Sequence, residues 1–323
     1  MKFIDLFCGI GGFRLGFESI GGECVFSSDI DKYACETYFN NFGDYPSGDI
    51  TKIEAKEIPD FDLLCGGFPC QPFSIGGLRK GFQDTRGTLF FHIERIIRDK
   101  KPKAFILENV KGLVNHDKGK TLDVILNKLA SKINGEVNPN KFNDCLDYHV
   151  FYKVINSKDF GVPQNRERIY IIGFSEDVDF RFPEIQIKSV FLSDIIDESI
   201  ERNTISETLK FNIDNHLQLH SKCNQIKDLR YLLAYEVRKS RATFRFDNLS
   251  PTLTAKMGTG GNNVPVLVNY GRKLTTDECL KIQGYPDNYK IKFNNSQSYK
   301  QIGNSVSVPV IKYLANAMQE FIK

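Results

Sequence analysis

Short segments typical of strands recur along residues 1–175, and each is followed by a turn or by a segment with helical spacing of apolar residues. The segments are Phe3–Phe7, Glu23–Ser28, Phe61–Leu64, Lys103–Leu107 and Ile169–Phe174. Strands that alternate with helices form parallel sheets with helices on both faces. The sequence therefore predicts an α/β fold built on a doubly wound and mostly parallel sheet.

Length and composition suggest how the chain is divided. A chain of 323 residues corresponds to about two domains at roughly 150 residues each. After about Pro183 the apolar runs become weaker, whereas the last apolar helical segment again resembles those of the first half. We predict a first domain over 1–183 plus 297–323, a second domain over 184–270, and a hinge over 271–296.

Charge and cysteine usage exclude several classes of protein. The net charge is only +3, so any nucleic-acid surface has to be a local patch. The eight cysteines form no CxxC pair, no signal peptide is present, and no apolar run approaches the roughly 18 residues of a membrane span. These features predict a soluble, cytoplasmic protein with reduced thiols.

Cys70 stands between Pro69 and Pro72, directly after the buried strand that contains Leu63 and Leu64 and the turn formed by two glycines. In an open α/β sheet, ligands bind outside the carboxyl ends of the strands. A thiolate at that position is a candidate nucleophile. The alternative is a half-buried structural thiol.

A glycine turn follows the first strand and precedes a helix predicted from about Arg14. Its glycines, Gly9, Gly11 and Gly12, depart from the full G-x-G-x-x-G spacing, so they indicate either a cofactor loop or a simple tight turn. Asp29 follows Gly9 by about 20 residues, where an acid usually binds a ribose hydroxyl. Its alternative role is a helix N-cap.

Several other segments leave two interpretations open. Gly76–Gly87 is glycine-rich and basic, which fits either a mobile lid over a phosphate-bearing ligand or a surface loop. Asp49 could meet an adenine amino group or serve in a turn. Basic and aromatic residues alternate in a cluster that suits either a nucleic-acid face or a solvated surface. The cluster contains Arg230, Tyr231, Tyr235, Arg238, Lys239, Arg241, Phe244, Arg245 and Phe246.

Three side chains have the helical spacing of metal ligands, namely His216, His220 and Cys223. No fourth ligand is visible in the sequence, so a metal site is not favoured. Phe160–Arg168 is predicted to form a charged turn, and Ile302–Val306 is predicted to be a loop before the last helix.

Five motifs follow one another along the chain: Asp5–Gly12, Gly67–Gln71, Glu108–Val110, Gln164–Arg168 and Gly303–Val306. In this order they resemble the motif series of the DNA (cytosine-5)-methyltransferases, in particular the small bacterial enzymes of type II restriction-modification systems. The resemblance covers most of residues 1–175 and about 271–323. In the segment between these two regions, only Pro251–Thr254 resembles the family. The family has its variable target-recognition domain in this segment.

The resemblance implies a Rossmann-like class I methyltransferase fold for the first domain and a smaller, mixed target-recognition domain for 184–270. It also implies S-adenosylmethionine as methyl donor, S-adenosylhomocysteine as product, double-stranded DNA as substrate, and no metal. A monomer in the bacterial cytoplasm is expected, with a restriction endonuclease possible as a separate protein.

The catalytic roles come from the same matching. Cys70 would add to carbon 6 of cytosine, which makes carbon 5 nucleophilic, and Glu108 would share a proton with ring nitrogen 3. Arg166 and Arg168 would hold the base and help keep Cys70 ionised. Because a base inside a duplex cannot be attacked, the cytosine would be flipped out of the helix.

The implied binding residues fall into two sets. The cofactor set is Phe7, Gly9, Gly11, Gly12, Asp29, Ile30, Asp49, Ile50, Phe68, Pro69, Asn304, Ser305 and Val306. The DNA set is Gln71, Ser74, Gly76, Arg86, Lys239, Arg241, Arg245 and Thr252. Two positions depart from close relatives: Gly76 replaces a serine, and Ile30 replaces an aromatic residue that often stacks on the cofactor.

Three other functions compete with this interpretation. The transfer-RNA-acting branch of the family would use the same chemistry on RNA. A second alternative is a non-catalytic DNA-binding protein that has kept the methyltransferase fold but lost the activity. The presence of Cys70, Glu108 and Arg168 argues against it, because such a protein would not need these residues. A nicotinamide-dependent oxidoreductase would explain the glycine turn, but not its spacing or the Pro-Cys-Gln sequence.

Overall fold

The computed structural model describes residues 1–69, 89–184, 188–260 and 262–322. Its internal contacts group the chain into two compact units. Unit 1 comprises Met1–Ile155, Glu167–Glu184 and Ile311–Lys323, and unit 2 comprises Asn156–Arg166 and Ile185–Val310. Residues 297–310, which the sequence assigns to the first domain, thus group with unit 2. The functional boundaries given above stay predictions.

Unit 1 contains the larger sheet and the helices that cover it. Its strands are β1 (Lys2–Leu6), β2 (Glu23–Ser28), β3 (Leu63–Gly67), β4 (Ala104–Val110), β5 (Ala130–Ile133), β6 (Glu136–Val137), β7 (Tyr148–Asn156) and β8 (Glu167–Phe174). Its helices are α1 (Gly12–Glu18), α2 (Lys32–Phe42), α3 (Leu89–Lys100) and α4 (Lys120–Leu129).

Unit 2 contains the smaller sheet and further helices. Its elements are α5 (Glu207–Gln218), α6 (Cys223–Ile226), β9 (Leu233–Tyr235), β10 (Thr243–Arg245), β11 (Val266–Leu267), β12 (Arg272–Lys273), α7 (Thr276–Gln283) and α8 (Asn295–Asn304). The last helix, α9 (Val308–Met318), includes the boundary between the units. Short 3₁₀ turns complete the chain, including Ile50–Lys52, Lys111–Val114, Ser157–Phe160 and Ala255–Thr259.

The sheet of unit 1 has the strand order β2-β1-β3-β4-β8-β7-β5-β6. β1 pairs in parallel with β2 and β3, β3 with β4, and β5 with β7, whereas β8 is antiparallel to β4. The order reverses between β1 and β3, as in doubly wound folds. The mostly parallel α/β fold predicted from the sequence is thereby confirmed.

Burial explains why these segments form the sheet. In β4, every residue from Ala104 to Asn109 is buried, as expected for a strand with both faces covered. Helix α3 buries Phe90, Ile93 and Ile97 at helical spacing in the same core cluster as strand residues of the sheet. Each such side chain contributes about 1.5–3 kcal/mol when fully buried.

Unit 2 is organised around the antiparallel sheet β10-β9-β11-β12. Leu209, Ile213 and Leu217 repeat every four residues along α5, and all three are buried in one core with Ala234 of β9 and Phe244 of β10. The helix therefore packs its apolar stripe against this sheet. Within the described ranges, no helix is long and apolar enough to cross a membrane.

Two boundaries differ from the sequence-based expectation. Arg168 lies in β8 rather than in the preceding turn, because Arg168 pairs with Val110 of β4. The predicted loop Ile302–Val306 is shorter: its first three residues form the last turn of α8. A Cβ on Gly303 would lie 2.1 Å from the carbonyl carbon of Thr254, so a glycine is needed for this close approach.

Candidate active site

The candidate site begins at the carboxyl ends of four neighbouring parallel strands of unit 1. β2, β1, β3 and β4 run in the same direction, so their carboxyl ends lie along one edge of the sheet. Loops that begin at Phe7, Asp29 and Phe68 leave this edge, and Glu108 lies near the end of β4. This is the edge where open α/β sheets bind ligands.

The glycine turn after β1 combines close packing with an open backbone. Gly11 has φ +75°, and a Cβ there would lie 2.3 Å from Cε2 of Phe42. Gly9 has φ +53°, and a Cβ there would meet no atom within 4 Å. Phe7 also has a positive φ, 55°, which is a strained conformation for an aromatic residue. The turn thus presents backbone at Gly9 to open space where a ligand can approach.

Asp29 is fixed against this turn. Its carboxylate accepts hydrogen bonds from the backbone N–H of Gly9 and of Asp31, both at 2.8 Å. Burial raises the pKa of Asp29. The N-cap of α2 is Asp31, which accepts from the N–H of Tyr33 at 3.0 Å, so the alternative role for Asp29 as the cap is wrong. Its contact with a ribose stays a prediction.

The remaining predicted cofactor contacts of unit 1 differ in exposure. Asp49 caps the turn at Ile50–Lys52, and its hydrogen bonds from the side chain and backbone of Thr51 lower the pKa of Asp49. Ile30 is 77% exposed, which makes it an available apolar surface. Ile50 is only 2% exposed, so its side chain belongs to the core.

The sequence analysis places Asn109 in the motif Glu108–Val110 but assigns it no role. Its Nδ2 donates to the carbonyl oxygen of Phe68 at 2.9 Å, and its Oδ1 accepts from the N–H of Val110 at 2.8 Å. β4 is thereby tied to the chain just before Pro69 and Cys70. Cys70, Gln71, Ser74, Gly76, Arg86 and the predicted lid Gly76–Gly87 lie outside the described residues.

Glu108 and Arg168 form an ion pair between adjacent strands. Nε of Arg168 lies 2.9 Å from Oε1 of Glu108, and both side chains are largely buried. Gly67 pairs with Glu108 in the sheet, and a Cβ on Gly67 would lie 3.5 Å from Oε2. Two of the predicted catalytic side chains are therefore in contact. The ion pair uses Oε1, and no hydrogen bond to Oε2 is made by the residues that the structure describes.

Arg166 belongs to unit 2, and its guanidinium donates hydrogen bonds to backbone carbonyl oxygens of the same unit. It donates to Leu253 at 2.7 Å and to Ser305 at 2.6 Å, and the residue is 2% exposed. The observed contacts hold segments of unit 2 together, and the predicted contact of Arg166 with the base stays a prediction. Ser305 and Val306 are buried, whereas Asn304 at the end of α8 is exposed.

The predicted DNA-binding residues of unit 2 occupy two places. Lys239 and Arg241 are exposed on the loop between β9 and β10. Arg245 and Thr252 line one cleft of ≈ 260 Å³ together with Lys256. Arg245 is paired with Asp247 at 2.6 Å, and Thr252 donates to the carbonyl oxygen of Asn165 at 2.8 Å.

The three side chains with metal-ligand spacing have other contacts, and Cys223 packs against the hydrophobic core of unit 2. Nε2 of His216 lies against two backbone carbonyls, and Nδ1 of His220 accepts from the N–H of Lys222 at 3.1 Å. Across residues 1–69, 89–184, 188–260 and 262–322, no group of three or more His, Cys, Asp or Glu side chains is placed to hold a metal ion.

Known proteins resemble this chain in sequence and in structure. The family model described as C-5 cytosine-specific DNA methylase matches residues 1–320. Type II methyltransferase M.HhaI of Haemophilus parahaemolyticus is 42% identical over 326 residues, which cover 98% of this chain and 93% of that protein. Type II methyltransferase M.HaeII of Haemophilus aegyptius is 45% identical over 324 residues, which cover 98% and 92%.

Solved structures show the same fold at lower sequence identity. The DNMT2 mutant of Spodoptera frugiperda superimposes with a TM-score of 0.70 at 19% identity, covering 98% of this chain and 99% of that one. Dnmt2 methyltransferase of S. pombe has a TM-score of 0.69 at 17% identity and 99% coverage of both chains. With the family model and the close relatives, the chain is a member of the C-5 cytosine-specific DNA methylases, a family that uses S-adenosylmethionine as methyl donor.

Proposed function

We propose that this protein methylates carbon 5 of a flipped-out cytosine within a short, specific sequence of duplex DNA, and that it protects host DNA in a type II restriction-modification system. The type II methyltransferases to which it is more than 40% identical support this role. The observation that carries the proposal is the Glu108–Arg168 pair, at the strand edge where Asn109 fixes the chain leading to Cys70.

The residues at the edge of the sheet fit S-adenosylmethionine. Gly9 offers open backbone, Asp29 has carboxylate oxygens that can accept from ribose hydroxyls, and Ile30 supplies an exposed apolar surface for adenine. The other proposed contacts are Phe7, Gly11, Gly12, Asp49, Ile50, Phe68, Pro69, Asn304, Ser305 and Val306. The cofactor supplies an electrophilic methyl group, and no metal takes part in the proposed reaction.

The chemistry follows from the poor nucleophilicity of carbon 5. The Cys70 thiolate forms a bond to carbon 6, and electron density moves toward carbon 5 and ring nitrogen 3. Glu108 stabilises the charge at nitrogen 3 by sharing a proton, and Arg168 holds Glu108 in place. Carbon 5 takes the methyl group, a base removes its proton, and Cys70 leaves as the carbon 5–carbon 6 double bond re-forms.

Sequence selection is the proposed role of unit 2. Extrusion of a base costs a few kcal/mol of stacking and pairing energy, which contacts with the DNA have to supply. Lys239 and Arg241 on the β9–β10 loop are the exposed cations for this role, with Arg245 and Thr252 in the cleft beside Lys256. We propose that the enzyme acts as a monomer in the bacterial cytoplasm, with any cognate endonuclease a separate protein.

The test uses purified protein, labelled S-adenosylmethionine and bacteriophage DNA, followed by bisulfite sequencing. We expect methylcytosine at one short recurring sequence, and no incorporation by Cys70→Ala. Transfer to transfer RNA alone would favour the RNA-acting branch of the family. A wild type as inactive as Cys70→Ala on both substrates, although the cofactor binds, would favour a non-catalytic DNA-binding protein.

A further inference from the structure

The loop between β9 and β10 is held in one defined shape. The N–H of Arg238 donates to the carbonyl oxygen of Arg241 at 2.7 Å, which closes a tight turn around Lys239. Glu236 adopts φ 50°, and Val237 is 1% exposed within the core of unit 2. The tip of this hairpin, residues 236–241, is therefore anchored at its base and closed by its own backbone.

His216 contacts this tip from the neighbouring helix α5. Its Nε2 lies 3.3 Å from the carbonyl oxygen of Arg238 and 3.2 Å from that of Lys239. Carbonyl oxygens only accept hydrogen bonds, so Nε2 carries a hydrogen, and the near-equal distances fit one hydrogen shared by two acceptors. Ile213 and Leu217, on either side of His216 in α5, are buried in the core of unit 2. Their burial holds the helix in place and so fixes the backbone position from which the His216 side chain extends.

The three cations of the tip have different partners. Arg238 donates through Nη2 to Oδ1 of Asn263 at 2.6 Å and through Nη1 to the carbonyl oxygen of Val237 at 2.9 Å. Arg241 lies 3.3 Å from the carboxylate of Glu236. Lys239 is exposed, and its ammonium group has neither an ion pair nor a hydrogen bond within the part of the chain that the structure describes. Lys239 is thus the exposed cation of the tip whose charged group has no partner among the described residues.

We propose that His216 is a positioning residue for sequence recognition: it holds the backbone of residues 238 and 239 so that Lys239 donates to a base edge of the DNA. The inference rests on the proposed DNA-reading role of unit 2. A two-stranded ribbon fits the major groove, where a lysine at its tip reaches the O6 and N7 acceptors of guanine. Arg238 helps to shape the tip through its hydrogen bonds to Asn263 and Val237.

The test compares four single variants and one double variant on duplexes with the recognised sequence and on duplexes with one base pair changed. His216→Leu removes the donor, His216→Gln retains an N–H at a similar distance from the backbone, and Lys239→Gln removes the cation. Gln218→Ala, at an exposed position of the same helix, is the matched control. The readouts are kcat, KM for each duplex, cofactor binding and the thermal midpoint of each variant.

We expect His216→Leu and Lys239→Gln to lower discrimination at the same base pair by about tenfold, through KM rather than kcat. His216→Gln should recover most of this loss, and Gln218→Ala should match wild type. The double variant His216→Leu/Lys239→Gln should lose no more than Lys239→Gln alone, because both changes remove one contact.

Additive losses in the double variant would overturn the proposal, and so would equal losses in His216→Leu and His216→Gln or wild-type discrimination in His216→Leu. A loss confined to the thermal midpoint would also overturn it, since that result describes a purely structural residue. These outcomes require an active wild type. A wild type that methylates no duplex DNA contradicts the proposed function itself, so the two failures are distinguishable.

Discussion

The carboxyl group of Asp5 is fully buried in β1, directly below the glycine turn of the candidate site. Burial raises the pKa of Asp5 to about 8. The nearby Arg14 guanidinium offsets only part of this burial effect. Near neutral pH the folded protein therefore keeps a proton on Asp5, whereas the unfolded chain, with a pKa of about 3.9, has lost it.

This difference in proton binding makes stability depend on pH. Between about pH 4 and pH 8 the unfolded state binds fewer protons at Asp5, so the free energy of unfolding falls as pH rises. We expect wild type to lose about 2 kcal/mol between roughly pH 6 and pH 8 relative to Asp5→Asn, which carries no charge at either pH. Urea unfolding of both proteins at the two pH values measures this. Parallel pH profiles would contradict a protonated Asp5.

Asn109 supports a second prediction at this scale. Asn109→Ala removes the hydrogen bond to the carbonyl oxygen of Phe68, and Asn109→Asp replaces the donor with a carboxylate that repels that oxygen. Because small misplacements of a reacting group are costly, we expect kcat to fall by about 10²-fold in Asn109→Asp. Cofactor affinity, measured by calorimetry, should change little. An unchanged kcat with weakened cofactor binding would instead place Asn109 in the cofactor site.

At the scale of elements, the Glu108–Arg168 pair depends on the register between β4 and β8. Glu108 lies opposite Tyr170, and Arg168 lies opposite Val110. Since successive side chains point to opposite faces, positions 168 and 170 share a face, which brings Arg168 diagonally across to Glu108. The antiparallel pairing of β8, and not the turn predicted from the sequence, therefore builds this part of the site.

The register predicts the effect of breaking the pair. Arg168→Met leaves the largely buried Glu108 carboxylate without its cation, and we expect a loss of about 3 kcal/mol in the free energy of unfolding. The double variant Arg168→Met/Glu108→Gln should recover most of that loss, because no charge then remains unpaired. Urea unfolding of the single and double variants measures it. Equal losses in both would mean that packing of the arginine stem, rather than the charge, is what stabilises the strands.

Elements whose ends are marked by neighbouring residues in the sequence could be predicted. Features that depend on contacts between residues distant in the sequence could not. β2 has the predicted bounds, Glu23–Ser28, because two glycines precede this apolar run and Asp29 ends it. The last turn of α8 was predicted as a loop, since nothing local shows that Gly303 packs against Thr254. The hydrogen bonds of the Arg166 guanidinium to backbone carbonyls could not be predicted either, because the carbonyl partners lie 87 and 139 residues away in the sequence.

At the scale of the whole molecule, the two units have separate cores. The strand-end residues proposed to bind the cofactor include Gly9, Asp29 and Asp49 of unit 1. The cations proposed to read the DNA, Lys239 and Arg241, belong to unit 2, as do the further cofactor candidates Asn304, Ser305 and Val306. The net charge of only +3 gives no general attraction to DNA, so affinity has to come from local cations such as those of the hairpin tip. Cofactor binding and DNA recognition should therefore respond to different substitutions.

The stabilisation of the intact protein by its bound cofactor product tests which residues bind the cofactor. S-adenosylhomocysteine at roughly 100 times its Kd should stabilise wild type by about 2.7 kcal/mol. Asp29→Ala should lose most of this stabilisation, because it removes the proposed ribose acceptor and the bond that fixes Gly9. Asp31→Ala is the matched control: it removes the N-cap of α2 at a cost of about 1 kcal/mol but should retain the full response to the cofactor.

Thermal unfolding with and without the cofactor product, followed for wild type and both variants, separates the two effects. Asp31→Ala lowers the midpoint at every cofactor concentration, whereas Asp29→Ala flattens the dependence on concentration. Lys239→Gln should leave that dependence unchanged, since Lys239 is exposed on the β9–β10 loop and is not among the proposed cofactor contacts. A full cofactor response in Asp29→Ala would show that the acid at the end of β2 supports the glycine turn without binding the ribose.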